Sequence, residues 1–266
     1  MKSPVRWAGS KRQMLGLLRE SWTGQSRYIE PFAGSACLFF DLEPTDAIIG
    51  DLNGELIESY RILRDCPEDL IKRIREWRPT RETYYKVRNL ALEKLSAIEL
   101  AARFFFLNRY CFNGLYRTNL SGKFNVPFGA PNKDHQIDEG QLLDASAVLR
   151  RARLMNADFM VTLDQARAGD FVYLDPPYVL REKRVFSEYL PNSFQRSDLD
   201  RLKDGLISLD TRGVTFVVTY ADCDEARDLM RGWKPKKWQA RRNIAGFTSS
   251  RKFSPELIAT NRTFES

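Results

Sequence analysis

Histidine is nearly missing from this 266-residue chain, where His135 stands alone. Its four cysteines, Cys37, Cys66, Cys111 and Cys223, are scattered without a C-x-x-C pair. Structural zinc usually takes closely spaced Cys/His pairs and disulfide scaffolds take dense cysteines, so no metal and no disulfide framework are expected. The thiols read instead as small buried hydrophobes. Nor does any apolar run approach the roughly 18 residues of a membrane span, and the start, Met1-Lys2-Ser3-Pro4-Val5-Arg6-Trp7, lacks the apolar core of a signal peptide. No membrane partner is expected, and a cytoplasmic location follows. The absence of G-x-G-x-x-G disfavours a nicotinamide dehydrogenase. No internal repeat or low-complexity segment interrupts the chain.

What is present is ordinary globular composition, 43% hydrophobic and 29% charged, at a length that favours one core with one smaller inserted unit. Forty-two Lys and Arg face 35 Asp and Glu, and the net charge of +7 raises the odds of a polyanionic partner. The run Trp233 to Arg242 holds five basic residues, no acidic one and two tryptophans. Taken alone it reads as a solvated face more readily than as a nucleic-acid patch.

Arg27-Tyr28-Ile29-Glu30 reads as a strand, Pro31 to Ser35 as a turn, and Ala36 to Leu42 as a helix. A second strand, Ala47 to Gly50, ends at Asp51. In nucleotide-binding α/β sheets a carboxylate at that point binds ribose hydroxyls, while the glycine turn lets backbone approach the ligand. Asp51 as a simple turn or cap residue is the competing reading. From Gly54 to about Leu107 the apolar spacing is helical. A polar, aromatic stretch follows, Asn108 to Gly129, too long for a plain linker. Strand signals return at Arg153–Asn156, Phe171–Leu174 and Val214–Thr219, so an α/β pattern is split by a largely helical block.

The most specific string is Asp175-Pro176-Pro177-Tyr178, directly after the strand Phe171–Leu174. Chance supplies it in roughly two chains per thousand of this length. A rigid strand-ending turn would explain the prolines, but not the Asp and the Tyr. An exocyclic amine of adenine or cytosine is a poor nucleophile because its lone pair is delocalised into the ring. It gains reactivity when acceptors take both N–H bonds. Asp175 offers a carboxylate, and Pro176 a carbonyl held by a stiffened backbone. Tyr178 offers a flat face for a base that has left the duplex. Such an amine attacks a sulfonium methyl in line without a covalent enzyme intermediate, so a missing histidine is no obstacle.

These motifs, in this order, resemble the Dam-type (N6-adenine) DNA methyltransferase family over nearly the whole chain. Trp7-Ala8-Gly9-Ser10-Lys11 is similar to the family's opening motif, whose Trp and Lys line the cofactor pocket. Glu30 to Ala36, with Phe32 and Gly34, is similar to its cofactor turn, and Asp51 falls on its ribose-binding acid. Asn108 to Asn119, continued by Gly122 to Gly129, resembles its DNA-recognition segment. Arg109, Asn113, Leu115, Arg117, Asn119, Lys123, Asn125 and Pro127 are the expected DNA-binding residues there, with some asparagines equally able to hold turns. Asp175, Pro176, Pro177 and Tyr178 are the catalytic motif, and Asp175 also borders the cofactor. The resemblance further implies Asp158 for the amine and Phe159 for the ring of the cofactor's adenine.

Two departures stand out. Ala36 replaces the family's second turn glycine, and Ala130-Pro131 stands where GATC-specific members carry an arginine and an aromatic residue. GATC is therefore only a candidate recognition sequence.

The resemblance implies an α/β fold, a Rossmann-like S-adenosylmethionine-dependent methyltransferase core with an inserted helical target-recognition domain. The core takes 1–56 with 150–266, the insert 57–149. The last strand, Glu256 to Asn261, is expected to run antiparallel. The implied function is site-specific transfer of methyl from S-adenosylmethionine to N6 of a flipped adenine in double-stranded DNA. A cognate restriction endonuclease is a conceivable partner. The alternatives are an N4-cytosine DNA or adenine RNA methyltransferase, or a non-catalytic DNA-binding relative.

Overall fold

The computed structural model describes residues 1–119, 122–129, 136–179, 194–240 and 254–262. His135, Ala130-Pro131 and the basic pair Arg241-Arg242 lie outside them. Among the described residues seven strands form one mixed sheet: β1 (Tyr28–Glu30), β2 (Ala47–Asp51), β3 (Ala152–Asn156), β4 (Phe171–Leu174), β5 (Thr215–Ala221), β6 (Lys236–Ala240) and β7 (Ser254–Thr260). Their order is β3-β2-β1-β4-β5-β7-β6, with β3 through β5 parallel and β7 antiparallel to both neighbours. The expected doubly wound α/β class and its antiparallel C-terminal strand are both present.

The central strands β1 and β4 are buried at every residue. That is why they read as short continuous apolar runs, since helices cover both faces of a parallel sheet. The helices are α1 (Leu15–Glu20), α2 (Cys37–Leu42), α3 (Gly54–Asp65), α4 (Pro67–Arg75), α5 (Arg81–Arg88), α6 (Ala97–Tyr110), α7 (Glu139–Leu149), α8 (Phe159–Leu163), α9 (Arg196–Thr211) and α10 (Asp224–Leu229). Local chemistry sets their starts. Asn53 caps α3 through Leu56 N–H, Pro67 opens α4, and Ser96 and Glu99 form a reciprocal capping box on α6. No helix among the described residues is long and apolar enough to cross a membrane.

One face of the sheet packs on α3, α4, α6 and α7 in a single cluster that joins Tyr28, Ile49 and Phe171 to Ile57, Leu70, Phe105 and Leu149. The other face packs on α8, α9 and α10. A smaller third cluster ties Tyr84 and Val87 of α5 to Phe106, Tyr110, Phe124 and Val126. Beside it Arg103, only 3% exposed, donates to the Val87 and Arg88 carbonyls at the end of α5 and pairs with Glu55 at 3.3 Å. A cation at a helix C-terminus also suits the helix dipole.

The strand order reverses at β1, whose neighbours are β2 and β4. Connections leave these two sides in opposite directions, which opens a crevice at the carboxyl ends of the strands. Both outer rims of the sheet carry cations: exposed Arg153 on β3, and exposed Lys236 and Lys237 on β6. β6 is the strand that the basic run concealed.

Candidate active site

An open cleft of about 1190 Å³ lies at that crevice. The turn after β1 lines it with Phe32 and Gly34, the tip of β2 with Asp51, and the start of α8 with Asp158 and Phe159. The corner after β4 adds Asp175, Pro176, Pro177 and Tyr178, and the N-terminal segment adds Trp7 and Lys11. All the residues expected to serve catalysis and cofactor are thus gathered on one wall system, although they come from both ends of the chain.

The glycine turn is tight. Gly34 has φ +46°, and a Cβ there would stand 2.8 Å from Trp7 Cδ1. Its N–H donates to Asp51 Oδ2 at 2.9 Å, while Asp51 Oδ1 accepts the Asn53 N–H at 2.8 Å. Burial raises the Asp51 pKa against these backbone donors. Asp51 therefore also shapes the turn it faces. Ala36 adopts the same left-handed region, φ 46° and ψ 40°, which an L side chain enters at a cost. At the far end Asp158 Oδ1 accepts both the Met160 N–H that starts α8 and the Arg201 guanidinium at 2.7 Å. Phe159 stacks on Phe32 at 5.1 Å, and Arg201 lies 4.8 Å from the Phe159 ring centre.

At the catalytic corner Lys11 Nζ donates to Asp175 Oδ1 at 2.7 Å and Oδ2 at 2.9 Å, and to the Tyr178 hydroxyl at 3.2 Å. Thr219 from β5 donates to Asp175 Oδ1 at 3.0 Å. Burial alone would lower the Lys11 pKa, but the Asp175, Tyr178 and Glu256 groups together raise it, and the ammonium stays charged. Burial pushes the Tyr178 phenol upward, so it remains a neutral donor and flat face. Below the floor, Glu30 accepts the Tyr28 hydroxyl at 2.8 Å. Burial raises its pKa well above the usual range, and the charges of Asp175 and Asp51 add to this.

The expected recognition residues separate. Asn113 reaches the cleft, with φ 54°, and so do Tyr116 and Thr118. Arg109 sits in the last turn of α6, and the others lie along an irregular hairpin closed by Phe112 N–H to the Pro127 carbonyl and by Asn119 N–H to the Lys123 carbonyl, each within 2.9 Å. Arg117, Asn119, Lys123 and Pro127 are exposed, and Leu115 and Asn125 half-buried. Asn125 Oδ1 accepts the Arg117 Nε–H, and Asn119 Oδ1 the Lys123 N–H. Arg109 is turned to the Gln136 carbonyl at 3.0 Å.

Four contributors to the site were not read from the sequence. Glu256 and Trp238 come from β7 and β6, Thr219 from β5, and Tyr116 stacks on Trp7 at 5.3 Å and 18°. Only Glu256 left a signal, an acid opening the otherwise apolar strand Leu257-Ile258-Ala259. Among the described residues no cluster of three His, Cys, Asp or Glu forms a metal site.

Residues 7–244 match the family model of D12 class N6 adenine-specific DNA methyltransferases. Similar proteins include the Type II methyltransferase M1.LlaDCHI of Lactococcus lactis subsp. cremoris, 35% identical over 97% of this chain and 94% of that protein. The Type II methyltransferase M.MjaIII of Methanocaldococcus jannaschii is 32% identical over 92% and 93%. The DNA adenine methylase of Escherichia coli (strain K12) is 28% identical over 96% and 93%. With its crevice at the strand reversal and its family match spanning both halves of that crevice, the chain belongs to the D12 class N6 adenine-specific DNA methyltransferases.

Proposed function

We propose that the protein methylates N6 of an adenine turned out of duplex DNA, with S-adenosylmethionine as donor, in the cytoplasm. The observation that carries the reading is that the Asp175–Tyr178 corner opens into the same cleft as the Gly34 turn, Asp51 and the Asp158-Phe159 pair. The residues fit the donor. Gly34 leaves backbone in place of a side chain, Asp51 presents a carboxylate for ribose hydroxyls, and Phe159 with Phe32 offers an aromatic slot beside Asp158. When bound, S-adenosylmethionine supplies an electrophilic sulfonium methyl.

The chain's own residues act on the amine. Asp175 and the Pro176 carbonyl accept its two N–H bonds and restore nucleophilicity to its lone pair. Tyr178 stacks on the extruded base and offsets part of the lost duplex stacking. Lys11 holds the Asp175 carboxylate in place. The hairpin after α6 presents Arg117, Asn119 and Lys123 to the duplex, with Arg109, Asn113, Leu115, Asn125 and Pro127 shaping it. In this reading 1–56 with 150–266 is the catalytic core and 57–149 the target-recognition insert; α3, α4, α6 and α7 share the sheet's apolar cluster, while the cluster around Tyr84 and Phe124 is the insert's own. The Type II names of two relatives support a cognate restriction endonuclease acting on the same site.

The test is incubation with labelled S-adenosylmethionine and mixed-sequence DNA, followed by mapping of modified bases. Label confined to adenine in a short sequence context is expected, and Asp175→Ala abolishes transfer while DNA binding is kept. Label on cytosine, or label in RNA alone, overturns the reading.

A further inference from the structure

Glu256, the third residue of β7, stands behind the catalytic corner and is 6% exposed. Its two oxygens have different surroundings. Oε1 accepts the Tyr178 hydroxyl at 3.3 Å. Oε2 is buried without a hydrogen bond among the described residues and stands 3.6 Å from Lys11 Nζ, within ion-pair range but too far for a hydrogen bond. Lys11 itself straddles both oxygens of Asp175, one of which also takes the Thr219 hydroxyl. A carboxylate has about four acceptor positions. Lys11 and Thr219 fill about three of them and leave one on Oδ2, and the ammonium draws charge from that oxygen, so Asp175 accepts an amine more strongly as its cation shifts away. Less than about 1 Å of ammonium travel brings Lys11 to hydrogen-bond distance from Glu256 Oε2.

We propose that Glu256 is a positioning residue for methyl transfer: as the target amine arrives it takes over the Lys11 ammonium, freeing Asp175, while its other oxygen holds the Tyr178 ring. The proposal rests on the reading of Asp175 to Tyr178 as the amine site. No covalent step is involved. One cation serves two carboxyl groups, so the cluster carries an excess negative charge whenever both are ionised. Burial raises the Glu256 pKa, Lys11 opposes this, and the charge of Asp175 adds to it. Among the described residues the titratable groups facing Glu256 are Lys11, Asp175 and Tyr178. Its cross-strand neighbours Ala221 and Trp238 are uncharged. Lys237, on the opposite side of β6, pairs with Asp222 at 3.1 Å. A protonated Glu256 cannot hold the ammonium as an ion pair, so turnover rises with pH as Glu256 ionises.

The experiment compares wild type, Glu256→Gln and Glu256→Asp in kcat between about pH 5 and 9, with KM for S-adenosylmethionine and DNA affinity measured beside it. Adenine methylation by the wild type is established first, which separates failure of the site reading from failure of this one. The Gln variant is expected to lose kcat by on the order of 100-fold, to lose the acidic limb of the profile, and to keep its cofactor KM and DNA affinity. The Asp variant regains part of both rate and limb. A Gln variant with normal kcat, or with lowered kcat and an intact acidic limb, overturns the proposal. So does a wild-type profile with no acidic limb, whether or not either variant folds.

Discussion

Glu30 is the group through which the floor of the cleft makes stability depend on pH. Its carboxyl sits in β1 at 2% exposure, hydrogen-bonded by the Tyr28 hydroxyl, and burial holds its pKa well above 4.5. The folded state therefore keeps a proton that the unfolded chain releases near the ordinary value. A raised folded pKa contributes stability that is full below about pH 4.5 and is lost as pH climbs toward the folded value. Within that interval the slope is about 1.4 kcal/mol per pH unit. Glu30→Gln removes the titration while the amide still accepts from Tyr28. Urea unfolding of both proteins at several pH values reads the effect, because titrations not coupled to Glu30, such as that of Glu256, are shared and cancel in the difference. Between about pH 5.5 and 7.5 the wild type should lose stability relative to the Gln variant, at up to about 1.4 kcal/mol for each pH unit that lies below the folded pKa. Parallel stability curves would refute the claim that Glu30 is protonated in the fold.

Ala36→Gly should stabilise the protein by about 0.5 to 1 kcal/mol, since relief of a left-handed alanine exceeds the added chain entropy; an unchanged urea midpoint contradicts this. Gly34→Ala should displace Trp7 and weaken S-adenosylmethionine binding about tenfold or more with DNA affinity largely kept, as read by equilibrium titration. Unaltered cofactor affinity would show that the turn has room to spare. Arg103→Met strips three bonds from the α5 and Glu55 junction and should cost about 3 kcal/mol in unfolding free energy. A loss under about 1 kcal/mol would mean that the guanidinium is replaceable by packing alone.

The parts legible in the sequence are those where local pattern and global fold agree. Phe171 to Leu174 is a continuous apolar run because β4 is covered on both faces, and the two prolines stop it at the residue where the chain leaves the sheet. β1, β2, β5 and β7 were readable within one or two residues for the same reason, and β3 through the alternation of exposed Arg153 with buried Ala152 and Leu154. β6 was not, because an edge strand with an exposed face carries lysines and a half-buried tryptophan and so looks like a solvated basic run. The Lys11 to Asp175 bond joins residues 164 apart, and no periodicity announces it. Glu256 was read as a strand residue only, since its partners Lys11 and Tyr178 are chosen by tertiary packing.

The cations on the two outer rims bear on how the molecule behaves in company. An unpaired strand offers free N–H and C=O groups to a strand from another copy, and two such borders joined edge to edge would lie about 4.8 Å apart. Among the described residues, Arg153 on one border and Lys236 with Lys237, the latter paired to Asp222, on the other would then bring like charges together, whichever borders met. A protein crowded along a polyanion is thereby discouraged from zipping into fibrils with its neighbours, even where many copies gather.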